Sequence, residues 1–161
     1  MFSTKGRYAL RVMADLAQQK SGGFVPLEEI AHRQGISKKY LEIILKSLVR
    51  EKLLKGMRGK GGGYKLTRKP SEYTVGEILE LTEGTLAVVA CLREGADICP
   101  RANICTTLPM WKRFNTLVRN FFYGITLDEI VSGKLTLPLC MPKACQNESG
   151  SCGAPEPEYI I

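Results

Sequence analysis

The sequence predicts a mainly α-helical fold with one small two-stranded sheet, and three observations predict it. Apolar residues recur at helical spacing through most of the chain up to residue 133. Only two short runs, residues 53–57 and 63–66, read as strands, and a glycine-rich loop joins them. Residues 134–161 hold Pro138, Pro142, Pro155 and Pro157 and show no period, which predicts a flexible tail.

The first helix is expected over residues 5–19, where Tyr8, Leu10, Val12, Met13, Leu16 and Ala17 lie at helical spacing, and Ser21, Gly22 and Gly23 end it. Pro26 opens a short helix through Leu27, Ile30 and Ala31, closed by a turn at Gln34, Gly35 and Ile36. Ser37 suits the N-cap of the next helix. That helix sets Leu41, Ile44, Leu45, Leu48 and Val49 on its buried side, with Lys38, Lys39, Glu42, Lys46 and Arg50 among its polar positions. A short helix, a turn with glycine and a longer helix with a basic outer face form a helix-turn-helix pattern, the second helix being the reader.

The two strands then make a wing, so the expected class is a winged helix-turn-helix. Four glycines in five residues, Gly59 and residues 61–63, are expected where the backbone approaches something closely, with Arg58 and Lys60 supplying charge beside them. Neither a P-loop lysine with its serine or threonine nor a G-x-G-x-x-G run opening a helix accompanies them, which disfavours nucleotide binding.

Lys69, Pro70 and Ser71 mark a seam, dividing the chain into a DNA-binding domain at 1–70, a cysteine loop with dimerisation helices at 71–133, and the tail at 134–161. Thr74 and Glu77 have capping-box form and start a short helix that Gly84 ends, placed to pack back on the reader domain. Pro109 introduces a long helix to about Tyr123, stopped by Gly124. Its stripe of Trp111, Phe114, Leu117, Val118, Phe121 and Phe122 needs a partner that the short C-terminal half does not supply, so pairing with a second subunit is expected. Thr126 and Glu129 form another capping box, with a helix ending near Gly133.

Charge separates the halves. Residues 1–70 hold 16 Lys/Arg against 5 Asp/Glu, while residues 71–161 hold 7 against 11, giving +11 and −4 within a net +7. A basic half joined to an acidic one is expected where the first lies on a polyanion. No apolar run approaches the roughly 20 residues that span a bilayer, and the N-terminus lacks the apolar stretch of a secretory signal, so a cytoplasmic protein is expected. With one histidine, His32, placed on the scaffold helix, a Ser/His or Cys/His catalytic pair is not expected, and the paired carboxylates lie in first turns where the helix dipole explains them. Enzymatic function is disfavoured.

In a reducing cytoplasm six cysteines in two groups of three do not suit a disulfide framework. Cys91, Cys99 and Cys105, with seven and five residues between them, match no zinc-finger spacing, yet three thiols in a short polar segment favour a shared soft-metal or iron-sulfur ligand over idle side chains. Cys140, Cys145 and Cys152 form a looser group in the tail.

The stretches KGRYAL (residues 5–10), ISKKYLE (36–42), RGKGGGYKL (58–66), TVGEIL (74–79) and ITLDEIV (125–131), with three spaced cysteines ahead of Trp111, resemble the iron-sulfur-sensing winged-helix repressors typified by IscR and NsrR. The resemblance implies a homodimer on a palindromic double-stranded operator, with a long helix of each subunit crossing the other and a cluster held near that interface, 2Fe-2S rather than 4Fe-4S. It puts Cys91, Cys99 and Cys105 on the cluster cysteines, although the first gap is longer than in the best-known form. It also puts Glu42 on a glutamate that discriminates operator types, Tyr40 beside the DNA backbone, and Arg58 on the wing arginine that enters the minor groove; Gly59 and Lys60 beside it are expected DNA contacts of the same loop. Ile43 stands where a polar residue is expected. The family's fourth cluster ligands fall on Leu108 and Arg7, neither of which can serve, leaving Cys140, Cys145, Cys152, Glu94, Asp97 or an exogenous ligand as candidates. Other readings are a cluster-free regulator of this family sensing thiol metabolism through a partner protein, a zinc-stabilised DNA-binding protein, and a small electron carrier.

Overall fold

Ser3 begins the helical part of the chain: its hydroxyl accepts from the Gly6 amide at 3.1 Å and caps α1, Thr4–Ala17. The computed structural model describes residues 2–19 and 22–135. Ala9, Val12, Met13 and Leu16 turn one face of α1 into the core. After Pro26, α2 runs Leu27–Gln34 and stops at Gly35, whose φ of 63° is the left-handed cap that glycine adopts without strain. Ser37 caps α3, Lys38–Arg50, by accepting from the Tyr40 amide. Leu41, Ile44, Leu45 and Leu48 are fully buried, so the rotation of α3 about its own axis is fixed by packing. Asp15 on α1 holds α2 through Arg33, with contacts of 2.9 and 2.8 Å, and through Gln34 at 3.0 Å.

Strands β1, Leu54–Met57, and β2, Gly63–Leu66, pair antiparallel with Leu54 opposite Leu66 and Met57 opposite Gly63. A third segment joins them at one rung: Val25 and Tyr64 exchange both backbone hydrogen bonds at 2.9 Å. That rung explains Gly63, since a Cβ there would lie 2.1 Å from the Val25 carbonyl oxygen. Gly62 likewise faces the Met57 carbonyl. The close approach expected of the wing glycines is thus, at these two positions, an approach to the chain's own backbone.

Beyond the wing, a single 3-10 turn at Pro70–Glu72 leads into Tyr73, which is fully buried. Its hydroxyl donates to the Leu53 carbonyl at 2.8 Å and accepts from the amides of Thr67 and Arg68 at 2.9 and 2.8 Å. The chain continues as α4, Val75–Glu83, α5, Leu108–Tyr123, and α6, Leu127–Ser132. Thr74 caps α4, but the Glu77 carboxylate does not close the expected box; it reaches Arg68 at 2.6 Å instead. Thr126 and Glu129 do form the expected box on α6. Tyr73, Ile78 and Leu127 lie in the same core as α1–α3, so the core crosses the seam at residues 69–71. A smaller cluster of Val75, Leu79 and Leu86 takes in Phe122, Ile125 and Ile130.

Helix α5 meets α4 through Glu80, which accepts from Arg119 at 3.0 Å and from the Tyr123 hydroxyl. Partial burial pushes the Glu80 carboxyl up, and the bonds from Tyr123 and Arg119 more than offset this, holding it below its ordinary value of 4.5. Gly76 lets the two helices approach, since a Cβ there would lie 2.5 Å from the Tyr123 ring.

Two consequences are measurable. Tyr73→Phe removes a buried hydroxyl that bonds the amides of Thr67 and Arg68 and the Leu53 carbonyl, and should lower unfolding free energy by about 1 kcal/mol at unchanged urea m-value, whereas a loss within error would remove the hydroxyl from the account. A carboxyl with a depressed folded-state pKa stabilises above its unfolded value and loses that contribution as pH falls through the folded one. Glu80→Gln should therefore be less stable than the parent at neutral pH, with the gap closing as pH falls below the ordinary carboxyl value of 4.5 and through the lowered folded-state one; a gap independent of pH would exclude the charge as its origin.

Candidate nucleic-acid interface and cysteine segment

With Leu41, Ile44, Leu45 and Leu48 inward, α3 turns Lys39, Ile43, Lys46 and Arg50 outward. Lys46 lies 3.4 Å from Glu42, Arg50 lies 3.0 Å from the neighbouring Glu51, and Lys38 is bound to Glu28 of α2. All these pairs are exposed and contribute little to stability. No carboxylate among the described residues lies within 4.0 Å of Lys39, Arg58 or Lys60. Tyr40 is half-buried, its ring edge-on to Tyr8 at 5.9 Å, and Arg11 lies 5.3 Å over the Tyr8 ring.

An open groove separates α3 from the wing, lined by Glu42, Lys46, Arg50, Met57, Arg58 and Tyr64 among others. The structure thus gathers four of the predicted contact residues in one groove, with Lys39 on the adjoining face. At the wing tip Gly59 and Gly61 have φ of 92° and 76° and face open space, leaving Arg58 and Lys60 exposed on a sharply turned loop. Lys65 lies 4.8 Å over the Phe24 ring, which anchors the wing from the α2 side and was not readable from spacing.

The cysteine segment is built differently. Leu86 is buried, and the next buried residue is Leu127. Between Leu86 and α5 the backbone makes only isolated turns, with 3-10 turns at Ala90–Leu92 and Ala102–Ile104, and Ile98 is 89% exposed. One bond, from the Val88 amide to the Asn115 side chain at 3.1 Å, ties its start to α5. Cys91 is exposed, and Cys99 and Cys105 are half-buried. Cys105 stands just ahead of α5, where the Thr107 hydroxyl at 3.5 Å, with the amides of Thr107 and Leu108 and the nearby Arg101, holds its thiol below the usual range against the opposing effect of burial.

Among the described residues no three His, Cys, Asp or Glu side chains come together as a metal site. Glu94 and Asp97 are exposed on the loop, and Cys140, Cys145 and Cys152 lie outside the described residues. In kind the donors fit an iron-sulfur group: three thiols, one acidified, on a segment that little packing holds in place.

The aromatic stripe of α5 divides in two. Phe122 packs into the cluster of Val75, Leu79 and Leu86 and meets Phe2 edge-on, and Trp111 and Val118 are half-buried. Phe114, Leu117 and Phe121 face outward, Phe114 at 48% and Phe121 at 50% exposure.

Comparison with known proteins matches residues 2–133 to the family model described as Rrf2, iron-dependent transcriptional regulator. The HTH-type transcriptional regulator IscR of Pectobacterium atrosepticum is 36% identical over 135 residues, covering 84% of this chain and 81% of that protein. Among solved structures, CymR, the global cysteine regulator of B. subtilis, superposes with TM-score 0.67 at 32% identity, covering 83% of this chain and 97% of that one. IscR of T. potens superposes with TM-score 0.63 at 30% identity, covering 88% and 93%.

Proposed function

The chain belongs to the Rrf2 family of transcriptional regulators, and from that premise we propose a homodimer that binds a palindromic operator under the control of an iron-sulfur cluster. The observation that carries the DNA part is the outward face of α3, where Lys39, Lys46 and Arg50 stand beside the groove that Arg58 lines. Phosphate contacts from such cations set register, and reader helices of a dimer enter successive major grooves about 34 Å apart. The open face of Phe114, Leu117 and Phe121 supports the dimer, since an apolar stripe of this size is seldom left to water. No helix among the described residues is long and apolar enough to cross a membrane, and we place the protein in the cytoplasm.

Cys91, Cys99 and Cys105 would hold the cluster, with the fourth ligand drawn from Glu94, Asp97, a tail thiol or an exogenous molecule. When bound, a 2Fe-2S cluster supplies a group sensitive to oxygen, nitric oxide and iron supply. The chain's own contribution is mechanical. The segment carrying the three thiols joins α4, which packs on the reader domain, to α5, so ordering it fixes the angle at which two reader domains are presented. Its effect on operator affinity equals the difference in stabilisation between competent and incompetent states.

The likeness to a global cysteine regulator favours one second reading: a cluster-free regulator tied to thiol metabolism through a partner protein.

Operator titrations test the DNA part. Arg58→Ala should weaken binding and relax minor-groove preference, while Lys39→Ala and Lys60→Ala should each reduce the salt slope by about one per phosphate contact. Unchanged affinity and slope in all three would sink the interface. Protein purified without oxygen should show broad visible absorption with matched iron and acid-labile sulfide, lost in Cys91→Ser, Cys99→Ser or Cys105→Ser with helicity retained. A colourless protein of full operator affinity decides for the second reading, and zinc without sulfide for a structural metal.

A further inference from the structure

We infer that Ile43 is a specificity contact of α3 that recognises the C5-methyl group of a thymine in the major groove. The inference rests on the DNA-interface reading above and adds to it the residue that reads sequence. Ile43 is 53% exposed in the middle of a helix whose other large aliphatic residues, Leu41, Ile44, Leu45 and Leu48, are fully buried. Its exposure is fixed, because those four residues determine which way the helix faces. Lys39 precedes it by one turn, and Lys46 and Arg50 follow it by one and two. At 3.6 residues per turn all three lie within about 60° of it around the helix axis.

An aliphatic side chain bordered along one side by cations is poorly suited to water and to most partners. The cations select a polyanion, which disfavours a lipid interior or an apolar protein groove. The aliphatic group has no hydrogen bond to give or accept, so it cannot read the donors and acceptors on base edges. What it can distinguish is a methyl group from a hydrogen. Among the groups that base pairs present in the major groove, the thymine methyl is the apolar one. A row of cations with a branched aliphatic residue alongside it therefore complements a phosphate backbone bordering a thymine. Glu42, the next residue toward the wing groove, has an acceptor for a neighbouring base but is partly engaged by Lys46 at 3.4 Å. Ile43 has no competing partner of that kind.

The test uses a duplex selected from random sequence by the full-length protein. Each thymine of that duplex is then replaced, in both half-sites together, by deoxyuridine, which removes the methyl group and leaves every hydrogen-bonding edge in place. The expected result is one symmetric thymine pair at which deoxyuridine weakens the parent protein by about fourfold for each buried methyl. At that pair Ile43→Ala should bind thymine and uracil duplexes equally, with the salt slope of the parent, because no phosphate contact is lost. Alanine is a strong helix former at an exposed position, so the variant keeps the fold, and an unchanged thermal midpoint verifies this. The inference is overturned if deoxyuridine has no effect on the parent at any thymine, or if Ile43→Ala keeps the parent's full uracil penalty. A selection that enriches no duplex sinks the interface reading itself and this inference with it. Enrichment without a methyl effect sinks the inference alone.

Discussion

The phenolic hydroxyl of Tyr73 is the point to which the two halves of this molecule are referred. It closes the root of the wing by bonding Leu53 on one side and Thr67 and Arg68 on the other, while its own carbonyl accepts from the Leu127 amide at 2.9 Å. The Arg68 guanidinium lies 4.4 Å over the ring and reaches Glu77 on α4. One side chain therefore sets the distance between the strands and the entry to the C-terminal helices. Because the hydroxyl is buried, losing its partners would leave it unsatisfied, and the arrangement is held by that asymmetry more than by the net strength of any bond. The reader helix, wing and α4 behave as one packed body as a result.

The segment after α4 has none of this support. Nothing between Leu86 and Leu127 is buried, α5 touches the body through Glu80, Tyr123 and Phe122, and the three thiols stand on turns with few ties. Regions that switch are drawn from the less stable end of a structure, because a two-state element cannot be locked by a core. The contrast between a rigid reader and a loosely held connector is what a ligand-controlled regulator needs: a small binding free energy at the connector can change how α5 is carried without having to unpack the reader. Phe122 fixes one end of α5 to the body, so reorientation would pivot there while the face of Phe114, Leu117 and Phe121 moves.

Much of this was legible in the sequence because it is local. The caps at Ser37, Gly35, Gly84, Thr126 and Gly133 depend on residues within one turn, and each stands where its residue type predicts. What was not legible depends on residues far apart in the chain. The Glu77 box failed because Arg68, nine residues earlier, competes for the carboxylate. The role of Gly63 needed Val25, and the role of Tyr73 needed Leu53 and Leu127, none of which a periodicity contains. The α5 stripe was visible as a stripe, but its division into an inner and an outer face follows from where Val75, Leu79 and Leu86 come to lie. The cysteine spacing pointed to shared ligation, and single-chain packing has no term that would gather three thiols around a group of this kind.

Charge shows a similar division. Of the acidic residues in the C-terminal half, Glu72 closes a turn on the Lys69 amide, Glu77 holds Arg68, Glu80 holds Arg119, Glu83 accepts from Ser3 and Glu129 caps α6. Their charge is directed inward to amides and cations of the same chain. In the N-terminal half Lys39, Arg58 and Lys60 have no such partner among the described residues, and the pairs made by Lys38, Lys46 and Arg50 are exposed and easily exchanged. The field of the N-terminal half is therefore made by cations that the chain's own carboxylates leave free or hold only at the surface. Such a field orients the approach to a polyanion before any base is touched, presenting α3 and the wing first. Carboxylates committed to structure and cations left to solvent thus serve one end: the acidic half stabilises the body, and the basic half faces what the body binds.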